Sequence, residues 1–135
     1  MTLLQFASSR YVEDNPMVRL LTNKEYPEKL SDLDLEIAKK IIEMKALIGL
    51  YHDLDGSIAR FQRYFGWPTN KETQSCTLQL ATTGEKWMTI HKGKVVEGDD
   101  IWTKFAQSNE FDIALYSFIE MLYKEQGKQI FDVVN

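Results

Sequence analysis

A chain of 135 residues, 44% hydrophobic and 27% charged, has the make-up of one ordinary globular domain and is long enough to bury a core. Its net charge is -4 and its 16 basic residues are dispersed, which excludes bulk nucleic-acid binding, because that needs a concentrated positive field. The one cysteine, Cys76, excludes an intramolecular disulfide and argues against a cysteine-based metal site.

No apolar run approaches a membrane span, and "MTLLQFASSR" lacks the basic start and long apolar core of a signal peptide. A cytoplasmic protein with no membrane partner is expected. Residues 1 to 30 hold two prolines and several turn formers, and read as irregular around a short helix or extended piece. At Ser31 a clear signal begins. In "SDLDLEIAKKIIEMKAL" Ser31 is an N-cap and Asp34, three residues on, completes a capping box with Asp in place of Glu. The spacing predicts a helix over 31–46 with Leu33, Ile37, Ile41, Met44 and Leu47 on one face. "LIGLYH" is short and apolar and suits a buried strand.

"DLDGSIARFQRYFGW" is a second helix, capped by Asp53 or Asp55, with Ile58, Phe61 and Phe65 at helical spacing and a stop at Gly66 before Trp67-Pro68. Thr69 to Lys86 is polar and reads as a mobile loop with a weak strand at "CTLQLA". "KWMTIHKGKVVEG" suits two short strands around Lys92-Gly93. Helical pattern returns from Asp99, and the longest helix is expected from about Asn109 to Phe131 with Phe111, Leu115, Phe118 and Leu122 on one buried stripe. Asp112 and Tyr116, one turn apart on it, read as a local structural pair.

Chemistry-bearing residues are sparse. His52 lies beside Asp53 and Asp55, and His91 some way before Asp99; a histidine with acidic neighbours can act as a general base or a metal ligand, but each reads first as a surface histidine in a turn. No HExxH, CxxC or GxSxG pattern accompanies them. In "HKGKVVEGDDIWTKF" Gly93 and Gly98 have the glycine spacing of a nucleotide phosphate loop, but Asp99-Asp100 follow where Lys-Ser belongs, and two carboxylates repel phosphate. Lys92 beside Gly93 still offers a cation and an open backbone N–H, which suits a terminal phosphate. The other reading of the same stretch is a hairpin tip followed by a helix capped by the Asp99-Asp100 pair.

The order of these features resembles the C-terminal part of the sulfotransferase family. The family's "N…R.L" segment is matched by Asn15 to Leu21, and its Ala-Lys helix by Ala38-Lys39-Lys40. The short "VGL.E" strand is matched by Ile48-Gly49-Leu50. The helix with an early serine and a large apolar end is matched by Asp55-Gly56-Ser57 with Phe65-Gly66-Trp67, and the "N..D..LY" helix by Asn109 to Tyr116. The loop "RKG..GDW" of the cytosolic branch resembles His91-Lys92-Gly93 with Gly98-Asp99 and Trp102, His91 standing where that branch has Arg.

The resemblance implies a helix-rich α/β chain, the C-terminal helical portion of a sulfotransferase-like, P-loop-related fold with few short strands, spanning 1–135 as one domain. It implies transfer of a sulfo group from 3'-phosphoadenosine 5'-phosphosulfate to a hydroxyl or amine, with His91, Lys92 and Gly93 as the cofactor-binding residues at the 3'-phosphate. The family's strand–loop–helix for the 5'-phosphosulfate has no match in residues 1–30, and the resemblance implies that the family's catalytic base would also lie upstream. The chain alone is therefore expected to lack turnover and to need an N-terminal donor-binding half or a partner chain. A non-enzymatic helical interaction domain is the alternative.

Overall fold

The computed structural model describes residues 2–9, 12–70, 75 and 95–132. Six α-helices are described: α1 (Leu3–Ala7), α2 (Pro16–Thr22), α3 (Asp32–Lys45), α4 (Leu54–Phe65), α5 (Asp100–Ser108) and α6 (Glu110–Asp132). The protein is helix-rich, and no strand occurs among the described residues. The chain divides into two compact units. One comprises Met1–Ala46 with Lys94–Glu120, the other Leu47–Gly93 with Met121–Asn135.

In the first unit α2 packs on α3 and α1 on α5. The buried apolar side chains are Ala7, Val18, Leu35, Ala38, Ile42 and Leu115. Helix α3 starts as its sequence requires. Ser31 is the N-cap in extended backbone and the capping box forms, with Asp34 Oδ2 accepting from the Ser31 N–H and the Ser31 hydroxyl, each at 2.7 Å.

The face that α3 buries is not the expected one. Leu35, Ala38 and Ile42 are inside, whereas Leu33 and Met44 are 68% and 69% exposed and Ile37 41%. The helix is apolar on two opposite sides, so its periodicity alone does not select a face. On α6 the stripe is half-kept. Leu115 and Leu122 are buried, while Phe111 and Phe118 are only part-buried, with the Lys39 ammonium 5.9 Å from the Phe118 ring centre.

In the second unit the expected strand at 47–52 is absent. Residues 47–50 are irregular, Leu50 in extended backbone, and Tyr51–Asp53 form a 3-10 turn. A strand needs a neighbouring ladder, and here side chains satisfy the backbone instead. Ile48 N–H donates to Gln126 Oε1 at 3.0 Å. Leu50 N–H donates to Ser57 Oγ at 2.8 Å, and the Ser57 hydroxyl reaches Leu50 O at 3.0 Å. Ile48 and Leu50 are nevertheless buried, which is why the apolar run has the look of a strand.

Gly49 lies against the Phe61 ring, where a Cβ would come within 2.6 Å of Cζ. Asp53 caps α4 through the Gly56 N–H, and Gly66 ends it in left-handed backbone at φ 64°, a conformation that suits glycine. Phe65, expected on the inner stripe, is 54% exposed and stacks on Trp67 at 5.0 Å. The strand expected at "CTLQLA", the first of the two expected around Lys92-Gly93, and nearly all of the loop from Thr69 to Lys86 lie outside the described residues, while residues 95–98, the end of the second, form no strand but lead into a turn. No helix among the described residues is long and apolar enough to cross a membrane.

Candidate functional site

His91, Lys92 and Gly93 lie outside the described residues, but the turn that follows them does not. Asp99 is the N-cap of α5. Its Oδ1 accepts from the Trp102 N–H at 2.6 Å and its Oδ2 from the Val96 N–H at 3.0 Å. Those two backbone donors hold the Asp99 carboxyl below the usual carboxylate range. The helix cap expected for the Asp99-Asp100 pair is therefore made by Asp99, whose charge is spent on the helix start.

The first unit contains a network between residues nearly a hundred positions apart. Asn15 N–H donates to Asn109 Oδ1 at 2.9 Å. Asn15 Oδ1 accepts from the Phe111 and Asp112 N–H groups, at 2.9 and 3.1 Å, which are orphan donors at the start of α6. Asp112 returns the arrangement. Its two oxygens accept from the Met17 and Val18 N–H groups, both at 2.9 Å, at the start of α2. Each helix thus supplies the side chain that caps the other. Asp112, expected as half of a local structural pair with Tyr116, reaches the distant start of α2.

Asn15 adopts left-handed backbone at φ 47°, which Asn tolerates better than most residues. Arg19, 4% exposed, is bound at every guanidinium nitrogen: Nε to Asp14 O, Nη1 to Glu25 O and Glu28 O, and Nη2 to both Asp14 oxygens at 2.8 and 2.9 Å. Its donors are all in use, so its work here is to hold the backbone after α2 in place.

The second unit has its own polar cluster. The Tyr123 hydroxyl donates to Asp53 Oδ2 at 2.6 Å. Burial, then the Asp53 contact, push the Tyr123 phenol up, and the phenol donor holds Asp53 down. A phenol that donates to a carboxylate and titrates high is no general base near neutral pH. Arg60, 4% exposed, lies over the Tyr123 ring with Cζ 3.5 Å from its centre, and Nη1 donates to Tyr123 O. Its Nε is buried with no partner. His52 sits in the 3-10 turn beside Asp53, and its charge adds a lesser lowering of that carboxyl. No group of three or more His, Cys, Asp or Glu residues able to hold a metal ion occurs among the described residues.

Neither network was visible from spacing. Asn15, Asn109 and Asp112 belong to two separate motifs, and only the fold brings them together. Arg60 and Tyr123 carry no sequence signal, because a buried charge within an amphipathic helix reads as part of its solvated face.

One surface stands apart from these closed networks. Leu33, Ile37, Ile41 and Met44 of α3 line a groove of about 340 Å³, flanked by Glu36, Lys40 and Lys45. Compared with protein families, with curated proteins and with solved structures, the chain finds no match.

Proposed function

We propose that this chain is the C-terminal helical portion of a sulfotransferase-like protein, carrying a remnant of the site for 3'-phosphoadenosine 5'-phosphosulfate and without turnover on its own. One observation supports the reading. Asn15 of the first end motif meets Asn109 and Asp112 of the last in a reciprocal capping network, so these residues carrying the resemblance act as one unit. The motif serine also has a role, since Ser57 holds the backbone of the Ile48-Gly49-Leu50 segment through Leu50. In such a site the protein positions the donor and stabilises charge on the transferring group, as in phosphoryl transfer.

Adenosine 3',5'-bisphosphate titrated into the labelled chain tests the reading. One cation and one or two backbone N–H groups, opposed by association entropy, support a dissociation constant on the order of millimolar. NMR shifts should cluster at His91, Lys92 and Gly93, weaken with salt, and vanish in Lys92→Ala but not in Lys86→Ala. No sulfo transfer to hydroxyl or amine acceptors should be detected. Absence of shifts at 91–93 under saturating ligand leaves the non-enzymatic helical domain.

A further inference from the structure

Helix α3 is apolar on two sides, and the unit it belongs to covers only one of them. Leu35, Ala38 and Ile42 are buried, whereas Leu33, Ile37, Ile41 and Met44 line the open groove on the opposite face. We propose that this face docks a second copy of the chain, α3 against α3, antiparallel about a twofold axis.

Two features select that occupant and that direction. At 3.6 residues per turn the four apolar residues fall on one narrow stripe. An antiparallel copy sets Leu33 against the partner's Met44 and Ile37 against the partner's Ile41, each contact made twice, as a self-complementary interface requires. The flanking charges obey the same symmetry. Glu36 and Lys40 lie one turn apart beside the stripe, so reversal brings Lys40 of one copy to Glu36 of the other, again twice. A parallel copy would set like charges together.

Within one chain Glu36 pairs with Lys39 at 2.7 Å and Lys40 with Glu43 at 3.5 Å. Exposed pairs of this kind contribute little and rearrange at small cost. A single helix face is smaller than the roughly 800 Å² per partner of a standard interface, so the dimer is weak, with a dissociation constant on the order of 100 μM. The inference uses α3 alone and is independent of the donor-site reading.

Sedimentation equilibrium of the full chain, from about 10 μM to about 1 mM, is the test. The chain should move from monomer to dimer across that range. Ile37→Glu should stay monomeric throughout with an unchanged circular dichroism spectrum, since the position is on the open face. Glu36→Lys and Lys40→Glu should each weaken the dimer about tenfold, because two pairs become like-charged. The two together should restore most of the loss. A wild-type chain that is monomeric throughout overturns the proposal and leaves the face to a different partner. A dimer indifferent to Ile37→Glu, or a charge swap without recovery, overturns it as well.

Discussion

Asp34 concentrates several interactions on one carboxylate. It is 4% exposed and accepts from the Ser31 hydroxyl, from the Lys24 ammonium at 2.9 Å and from the Ser31 N–H. These donors, the Ser31 hydroxyl first, lower its pKa to about 2 against the burial that opposes them. A folded-state value below the unfolded one, about 3.9, means that the carboxylate's contribution is fully present above pH 4. It is lost as pH falls through the folded value near 2. Asp53 and Asp99 are also lowered and add to the same acid limb, so only a difference isolates Asp34. Asp34→Asn should lower stability at neutral pH by about 1–3 kcal/mol, since the Lys24 and Ser31 donors lose their charged acceptor. It should also flatten the fall between pH 4 and 2. Urea melts of both proteins from pH 2 to pH 7 measure this, and parallel curves would show that Asp34 is not the group responsible.

At the scale of elements, what was legible in the sequence is what the backbone decides locally. Ser31 with Asp34, Asp53, Gly66 and Asp99 mark helix ends that a few neighbouring residues suffice to fix. Which face of α3 is buried was not legible, because both faces are apolar and the partner α2 lies elsewhere in the chain. The segment from Leu47 to Leu50 misled for a related reason. A short apolar run with buried Ile48 and Leu50 is strand-like, but its hydrogen-bond partners are the side chains of Ser57 and Gln126. The expected cofactor residues lie outside the described residues, so the legible part of the candidate site is the Asp99 cap beside them.

Helix α6 shows how a distant contact overrides local propensity. In isolation Gly127→Ala stabilises a helix interior by about 1 kcal/mol. Here the new Cβ would lie 2.7 Å from Arg60 Nη2. Arg60 is buried, stacked on Tyr123 and bonded to its carbonyl, so it yields only by giving up those contacts. Gly127→Ala should therefore destabilise by about 1 kcal/mol. In an Arg60→Ala background, where the crowding atom is gone, the same substitution should stabilise. Denaturant melts of the four proteins give this reversal of sign directly. A stabilising Gly127→Ala in the wild-type chain would mean that Arg60 does not hold its place.

For the whole molecule, net charge and exposed apolar surface act against each other. The chain carries -4 at pH 7 and is neutral near pH 5.2. Large apolar side chains stand open in both units: Leu20, Leu33 and Met44 in one, Tyr64, Phe65 and Trp67 in the other. Mutual repulsion between copies opposes contact between such patches, and it disappears at the neutral point. Static light scattering should therefore show the strongest attraction between molecules near pH 5.2, easing on both sides as charge of either sign returns. Added sodium chloride should increase attraction at pH 7, where it screens repulsion, and have little effect at the neutral point. Ile37→Glu separates this from the α3 pairing. The variant should lose the dimer at pH 7 yet keep a scattering maximum, moved slightly lower in pH by its extra negative charge. A maximum that vanishes with Ile37→Glu would place the whole of the self-attraction on the α3 face and leave the remaining exposed apolar side chains without a role in association.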